Sequence, residues 1–131
     1  MGDYRCELAL LIDNNATDNF AHRVAIVESH LAQQVKVVTS GKEAIAFLKK
    51  AKDKLPQLIL FDVHIPVLEG QVFLHEYAGL THFDKDDVKI VILTYKDKAA
   101  YLERLLINNE ISKIEIKPLT LESCERLGEL V

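Results

Sequence analysis

Five short apolar runs alternate with segments of helical periodicity, and this alternation restricts the fold more than any other feature. The runs are predicted strands at Leu8–Ile12, Val35–Thr39, Leu58–Phe61, Ile90–Leu93 and Ile111–Ile116. The first, third and fourth are apolar at nearly every position, which is typical of parallel strands covered by helices on both faces. The last alternates apolar and polar residues and predicts a half-exposed edge strand.

The segments between and after these runs are predicted helices. They are Thr17–Leu31, Gly41–Lys54, Gly70–Thr81, Asp97–Asn108 and Leu119–Val131. In the first segment the apolar residues recur at the spacing of one helix face, as in an amphipathic helix. These residues are Phe20, Val24, Val27 and Leu31. Strands that alternate with helices predict a doubly wound α/β domain.

Composition narrows the class of protein. A chain of 131 residues that is 49% hydrophobic fits one compact domain. A formal net charge of −4 argues against electrostatic binding of nucleic acid. No apolar run approaches the roughly 20 residues that cross a bilayer, and the N-terminus lacks a signal-peptide pattern. We therefore expect a soluble cytoplasmic domain, with Cys6 and Cys124 as buried small side chains.

The third apolar run ends at a carboxylate. Leu58–Phe61 is followed by Asp62, and Pro66 and Gly70 come within eight further positions. Open α/β sheets place their ligands at the carboxyl ends of strands. Since Pro66 cannot continue a strand and Gly70 permits a turn, the segment after Asp62 is predicted to be a loop.

The other strand ends also carry polar side chains. Asp13 and Asn14 follow the first run, Thr94 follows the fourth, and Lys117 with Pro118 follows the fifth. A parallel sheet brings the carboxyl ends of its strands to one edge, so these side chains are predicted to lie together.

This set of groups suits phosphoryl chemistry. Two carboxylates, Asp13 and Asp62, can hold a hard divalent cation such as Mg2+. The Lys117 ammonium and the Thr94 hydroxyl can bind phosphoryl oxygens. Attack by a carboxylate on phosphorus gives an aspartyl-phosphate, with the metal and the lysine stabilising the transferring charge.

The chain resembles the receiver domain of two-component response regulators over essentially its whole length. That family has an acidic pair after strand one, an acceptor aspartate after strand three, Thr or Ser after strand four and Lys-Pro after strand five. The matching residues are Asp13-Asn14, Asp62, Thr94 and Lys117-Pro118. The resemblance implies a single domain over residues 1–131. It also implies a flavodoxin-like sheet of order 2-1-3-4-5 with helices on both faces.

The resemblance implies that Asp62 is the phosphoacceptor and that Thr94 and Lys117 bind phosphoryl oxygens. The donor would be a phosphohistidine on a histidine kinase or a histidine phosphotransfer protein. The signal would pass to a downstream protein partner, with the domain a monomer or a phosphorylation-dependent dimer. Such a domain is not an enzyme beyond promoting its own phosphorylation and dephosphorylation. A cis peptide bond before Pro118 is also implied.

The implied Mg2+ site consists of the Asp13, Asn14 and Asp62 side chains and the backbone carbonyl of His64. The His64 side chain would neighbour the phosphoryl group. The remaining histidines show no ligand spacing and are predicted to lie on helices or loops. They are His22, His30, His75 and His82.

Three positions depart from the family pattern. Asn14 replaces the second acidic residue, so it would coordinate a cation without adding charge. Tyr95 stands where the family has a small residue, and its ring would slow phosphotransfer or hydrolysis unless it points outward. Ile114 occupies the position of the family's switch aromatic, so output would use other parts of the surface built by the fourth helix and the fifth strand.

Alternative interpretations remain open at this point. The three departures favour a pseudo-receiver that binds proteins constitutively and is rarely or never phosphorylated. A nucleotide-binding flavodoxin-like domain is a third possibility, although the chain lacks a G-x-G-x-x-G motif and a P-loop. Asp13 could be only the cap of the first helix, a role that Thr17 or Asp18 could also fill. The sequence does not distinguish a stand-alone regulator from part of a longer one.

Overall fold

A computed structural model describes residues 3–51, 55–62, 64–81, 85–95, 98, 100, 102–103 and 111–131. It contains a five-stranded sheet in which every neighbouring pair is parallel. The strands are β1 (Cys6–Ile12), β2 (Ala32–Val38), β3 (Leu58–Asp62), β4 (Lys89–Thr94) and β5 (Ile111–Ile116). Their order is β2-β1-β3-β4-β5, which confirms the predicted fold class and strand order.

Four helices of the described chain accompany the sheet. They are α1 (Ala16–Glu28), α2 (Gly41–Lys50), α3 (Val67–Ala78) and α4 (Leu121–Gly128), with a short 3-10 turn at Lys85–Asp87. The helix predicted at Asp97–Asn108 lies mostly outside the described residues, although residues 100, 102 and 103 are helical. None of the helices within the described ranges is long and apolar enough to span a bilayer.

The sheet separates two apolar cores, because successive side chains of a strand point to opposite faces. On one face Ile59 and Phe61 of β3 pack with α2 and α3. On the other face Leu58 and Leu60 pack with Ile26 of α1 and with the apolar side of α4. β3 is therefore buried along its whole length, as predicted, whereas β5 is a half-exposed edge strand.

Three helix starts differ from the sequence prediction, since α1 begins at Ala16 and not Thr17, α3 at Val67 and not Gly70, and α4 at Leu121 and not Leu119. α3 begins at Val67, so Gly70 lies within its first turn, where its N–H donates to the Pro66 carbonyl oxygen at 3.0 Å. The expectation of a turn at Gly70 was wrong, since a proline just before the first turn suits a helix start. α1 is capped by Asn15, which accepts from the Asp18 N–H at 2.9 Å; Asp13, Thr17 and Asp18 do not fill that role.

The buried face of α1 also differs from the expectation. Phe20 is 69% exposed and Val24 is 44% exposed, whereas His22 and Ile26 are buried. Only Leu31, which lies beyond the helix, is buried among the four apolar residues of the predicted face. The inner face of α1 instead carries polar groups toward the carboxyl ends of the strands, where His22 approaches Asp62.

Candidate functional site

Four of the predicted residues are buried at the carboxyl edge of the sheet. Asp13 follows β1, Asp62 ends β3, Thr94 ends β4 and Lys117 follows β5. A parallel sheet places these strand ends side by side. Burial of two carboxylates and an ammonium at one sheet edge is costly unless the charges pair with one another.

Lys117 makes the central ion pairs of this site. Its Nζ lies 2.8 Å from Oδ2 and 2.9 Å from Oδ1 of Asp62, and 2.6 Å from Oδ2 of Asp18. Burial works against the charged ammonium, but the bonds to Asp18 and Asp62 outweigh it and raise the pKa of Lys117. The lysine therefore stays charged and links α1 to the end of β3.

Asp18 is a site residue that the sequence interpretation missed. It lies in the first turn of α1, and its partly buried carboxylate faces Lys117. Although partial burial opposes it, the Lys117 ammonium lowers the pKa of Asp18. Acidic residues are common in the first turn of a helix, so its position alone gave no signal of a site.

The His64 imidazole also lies in the site. Its Nδ1 is 3.0 Å from Asp62 Oδ1, 3.2 Å from Asp13 Oδ1 and 3.4 Å from Asp18 Oδ2. The His64 backbone N–H donates to Asp62 Oδ1 at 3.0 Å. The half-exposed ring thus lies between the three carboxylates and solvent.

His22 is a second missed residue. It is buried on the inner face of α1, with Nδ1 at 4.0 Å from Asp62 Oδ2 and no hydrogen-bond partner for that nitrogen. The prediction that it lies on a helix was right, but it gave no indication of the site. Burial outweighs the attraction of Asp62 and lowers the pKa of His22, so the ring is neutral at neutral pH.

The Asp13 carboxylate is only partly satisfied. Its Oδ1 accepts the Asn15 N–H at 2.9 Å, whereas the buried Oδ2 has no hydrogen-bond partner. Burial, reinforced by the negative charge of Asp62, raises the pKa of Asp13 to about 6. A bound cation would relieve both the repulsion and the missing bond.

Asn14 and Thr94 lie beside the site, and within the described part of the chain neither is hydrogen-bonded to the Asp62 carboxylate. The exposed Asn14 side chain has its amide nitrogen 3.5 Å from the His64 backbone oxygen, the carbonyl that the resemblance assigned to Mg2+. A rotation of the amide by half a turn would exchange its oxygen and nitrogen. The Thr94 hydroxyl donates to the Tyr95 carbonyl oxygen at 3.1 Å.

Tyr95 covers the lysine. Lys117 Nζ lies 4.6 Å from the centroid of the Tyr95 ring, which is a cation–π distance. The ring is 38% exposed and meets the His64 ring edge-on at 6.2 Å. It does not point away from the site.

The other two predicted modulators lie at the β5 end of the sheet. Ile114 is half-buried against the core beneath α2 and α3 and pairs with Ile92 of β4, so no aromatic ring occupies that position. The Lys117–Pro118 peptide bond is cis, as predicted.

The donor set fits a divalent cation. One ligand atom each from Asp13, Asp18, Asp62 and His64 lies within 4.8 Å of the others. Three carboxylates face a single ammonium, so negative charge is in excess. The buried Asp13 Oδ2, which lacks a hydrogen-bond partner, is available as a further acceptor. The carboxylate oxygens of this set suit Mg2+.

Comparison with solved structures identifies the fold. A two-component response regulator from Cytophaga hutchinsonii superposes with a TM-score of 0.80 at 22% identity, covering 95% of each chain. The chain has the fold of a response regulator receiver domain. A receiver protein from Dyadobacter fermentans gives a TM-score of 0.79 at 21% identity, over 95% of this chain and 97% of the other.

A phosphorylated phytochrome response regulator from a cyanobacterium shares the receiver fold. It superposes with a TM-score of 0.70 at 20% identity, over 94% of this chain and 89% of the other. No protein-family model matches the sequence, and no curated protein matches it. The likeness is therefore one of fold, and the chemistry of the site has to be argued from its own residues.

Proposed function

We propose that Asp62 accepts a phosphoryl group from a phosphohistidine on a histidine kinase or a histidine phosphotransfer protein. The main support is the position of Asp62. Its carboxylate ends the central strand of a receiver fold, 2.8 Å from the Lys117 ammonium and beside Asp13. This is where open α/β sheets bind their ligands.

In the proposed transfer, an oxygen of Asp62 attacks phosphorus while the bond from phosphorus to the donor imidazole nitrogen breaks. The electron pair of that bond goes to the nitrogen, so the donor histidine is regenerated. Lys117 would follow the developing charge onto a phosphoryl oxygen. The Thr94 hydroxyl would turn from the Tyr95 carbonyl oxygen toward another one.

Mg2+ fits the same site. Asp13 and Asp62 would hold it, with the Asn14 amide oxygen and the His64 carbonyl oxygen as the further ligands that the resemblance assigns. When bound, Mg2+ would neutralise charge on the transferring phosphoryl group. Asp18 supplies a third carboxylate to the site, with its Oδ2 3.4 Å from His64 Nδ1.

Phosphorylation would be read by a protein partner, in the cytoplasm and without direct binding of nucleic acid by this domain. The described surface includes apolar side chains that suit a protein contact, since Phe20 and Val24 of α1 are exposed beside Arg23. We propose a single domain over residues 1–131 that is a monomer or a phosphorylation-dependent dimer. It acts in signalling and promotes only its own phosphorylation and dephosphorylation.

The test is labelling by a small phosphodonor with Mg2+, followed by intact mass. We expect one phosphoryl adduct on the wild type, none on Asp62→Ala and an unchanged adduct on Asp87→Asn, which alters an exposed carboxylate. Absence of an adduct on the wild type, or its survival in Asp62→Ala, would refute the proposal.

A pseudo-receiver is the second candidate, because the burial of the acceptor and the contacts of its lysine favour it. Asp62 is 0% exposed, Lys117 is held by Asp18, and the Tyr95 ring covers the lysine. In that case the fold would serve as a constitutive protein-binding module. The variant Tyr95→Ala separates the two: an acceptor that is only shielded labels faster in this variant, whereas a pseudo-receiver stays unlabelled.

A further inference from the structure

His64 Nδ1 and three nearby carboxylate oxygens are spaced like the ligands of one metal ion. Oxygens of Asp62, Asp13 and Asp18 lie 3.0, 3.2 and 3.4 Å from His64 Nδ1. When one ion binds neighbouring ligands at about 2.1 Å, those ligands are about 3.0–3.4 Å apart in octahedral or tetrahedral geometry. The three oxygens and the nitrogen can therefore serve one ion once the Lys117 ammonium, now 2.6 Å from Asp18 Oδ2 and 3.4 Å from His64 Nδ1, gives up its contacts with them.

The charge of the cluster also suits a dication. Asp13, Asp18 and Asp62 contribute three negative charges when ionised, and Lys117 supplies one positive charge. Asn14, which follows β1, contributes no charge, so Asp18 is the third carboxylate of the site. Because Lys117 now pairs with Asp18 Oδ2, a cation would compete with the ammonium for that carboxylate.

Two buried polar atoms point to a missing ligand. The Nδ1 atom of the buried His22 has no hydrogen-bond partner and lies 4.0 Å from Asp62 Oδ2. The Oδ2 atom of the fully buried Asp13 also has no partner. Buried polar groups are nearly always satisfied, so such a pair beside the acidic cluster is informative.

We propose that this site binds a first-row transition dication such as Zn2+ in preference to Mg2+, with His64 as the residue that confers the preference and Asp18 as a further carboxylate ligand. An imidazole nitrogen suits Zn2+, whereas Mg2+ demands oxygen. The location of the ion site rests on the proposed function, but binding of the ion does not require phosphotransfer. His22 would support the ion through Asp62, by donating to that carboxylate.

The first experiment uses Co2+ as a spectroscopic probe on the full chain, with Zn2+ and Mg2+ as competitors. We expect one Co2+ per chain, displaced by Zn2+ at a concentration at least about 100-fold lower than the Mg2+ needed. A thiolate charge-transfer band would instead place the ion at Cys6 or Cys124 and would refute the proposal. Comparable competition by the two ions would also refute it.

The second experiment assigns the ligands. In His64→Ala, Zn2+ affinity should fall by about tenfold or more, while Mg2+ affinity changes by less than about threefold. His75→Ala, which removes an exposed imidazole from α3, should change neither. Both affinities are measured on one sample, so partial unfolding scales them together and leaves their ratio intact. An unchanged ratio in His64→Ala would contradict the assignment.

The role of Asp18 as a ligand is tested by removing its negative charge. Asp18→Asn should weaken both ions by about tenfold, whereas Glu122→Gln, on the exposed side of α4, should leave them unchanged. Wild-type affinity in Asp18→Asn would show that Asp18 is only the partner of Lys117 and would refute its role as a ligand. Failure of phosphodonor labelling with Zn2+ binding intact would refute the proposed function and leave this inference standing.

Discussion

Helices α1 and α2 follow opposite burial patterns. α2 buries Ala44, Ile45 and Leu48 and exposes Lys49, as amphipathicity predicts. α1 exposes Phe20 and Val24 and buries a histidine. The difference follows from position, because α1 borders the carboxyl edge of the sheet and its inner face supplies Asp18 and His22 to the site. Amphipathicity therefore identifies the buried face of α2 but not that of α1, whose inner face serves the site.

The largest expected effect on stability is in α2, the helix whose buried face follows its amphipathic pattern. Leu48→Ala removes a fully buried side chain from the core beneath α2 and should lower the free energy of unfolding by about 2–5 kcal/mol. Chemical denaturation measures this change. Lys49→Ala, at the next and exposed position, should change it by less than about 0.5 kcal/mol. A similar loss in both variants would contradict the described face of α2.

The next largest effect concerns the buried carboxylate of Asp13 and the dependence of stability on pH. The pKa of Asp13 is raised from its ordinary value of 3.8 to about 6, so the folded state binds a proton more tightly than the unfolded chain. The stability that this proton confers is present below pH 3.8 and is lost as pH rises through 6. Asp13→Asn removes the group, so the variant should gain about 1–3 kcal/mol relative to wild type between pH 4 and pH 7.

Denaturation with a chelator present at both pH values measures that gain. Asp87→Asn, which alters an exposed carboxylate outside the site, is the control. If the difference in the free energy of unfolding between Asp13→Asn and wild type is constant from pH 4 to pH 7, burial does not raise the pKa of Asp13.

A smaller effect is expected at His22, on the inner face of α1. Its buried Nδ1 has no partner, so an apolar side chain of similar size should be tolerated there. His22→Leu should raise the free energy of unfolding by about 1 kcal/mol, because it removes an unsatisfied buried nitrogen. A loss of stability in His22→Leu, measured by thermal unfolding, would show that the imidazole is structural.

The smallest effect is expected on the outer face of α1. Phe20 is 69% exposed, so Phe20→Ser should change the free energy of unfolding by less than about 0.5 kcal/mol. Ile26→Ala, on the buried face of the same helix, should cost about 2–4 kcal/mol. Equal costs would mean that the two faces of α1 are not distinguished as described.

The fold could be predicted from the sequence because buried parallel strands leave a strong signal. The apolar run ending at Asp62 and the alternating run Ile111–Ile116 were assigned to the central and edge strands that the structure shows. The helix boundaries were predicted less accurately, since the start of α3 depends on the local geometry after Pro66. That geometry does not follow from the presence of a glycine at position 70.

The site was only partly accessible from the sequence. Strand-end residues such as Asp62 and Lys117 could be found because a parallel sheet gathers its strand ends. Asp18 and His22 could not, because each reaches the site through the orientation of α1. The apolar stripe of that helix indicated the opposite face. Side chains that approach a site from a neighbouring helix leave no spacing signal in the sequence.

The most direct test is to locate the phosphoryl group after labelling by a small phosphodonor with Mg2+. His64 and His22 lie within 4.0 Å of the Asp62 carboxylate, so an adduct by mass alone does not identify the acceptor. Trapping the labelled chain with hydroxylamine, followed by peptide mass analysis, distinguishes an acyl phosphate from a phosphohistidine. We predict that hydroxylamine removes the phosphoryl group and marks Asp62. A label that stays on His64 or His22, with Asp62 unmodified, would contradict the account.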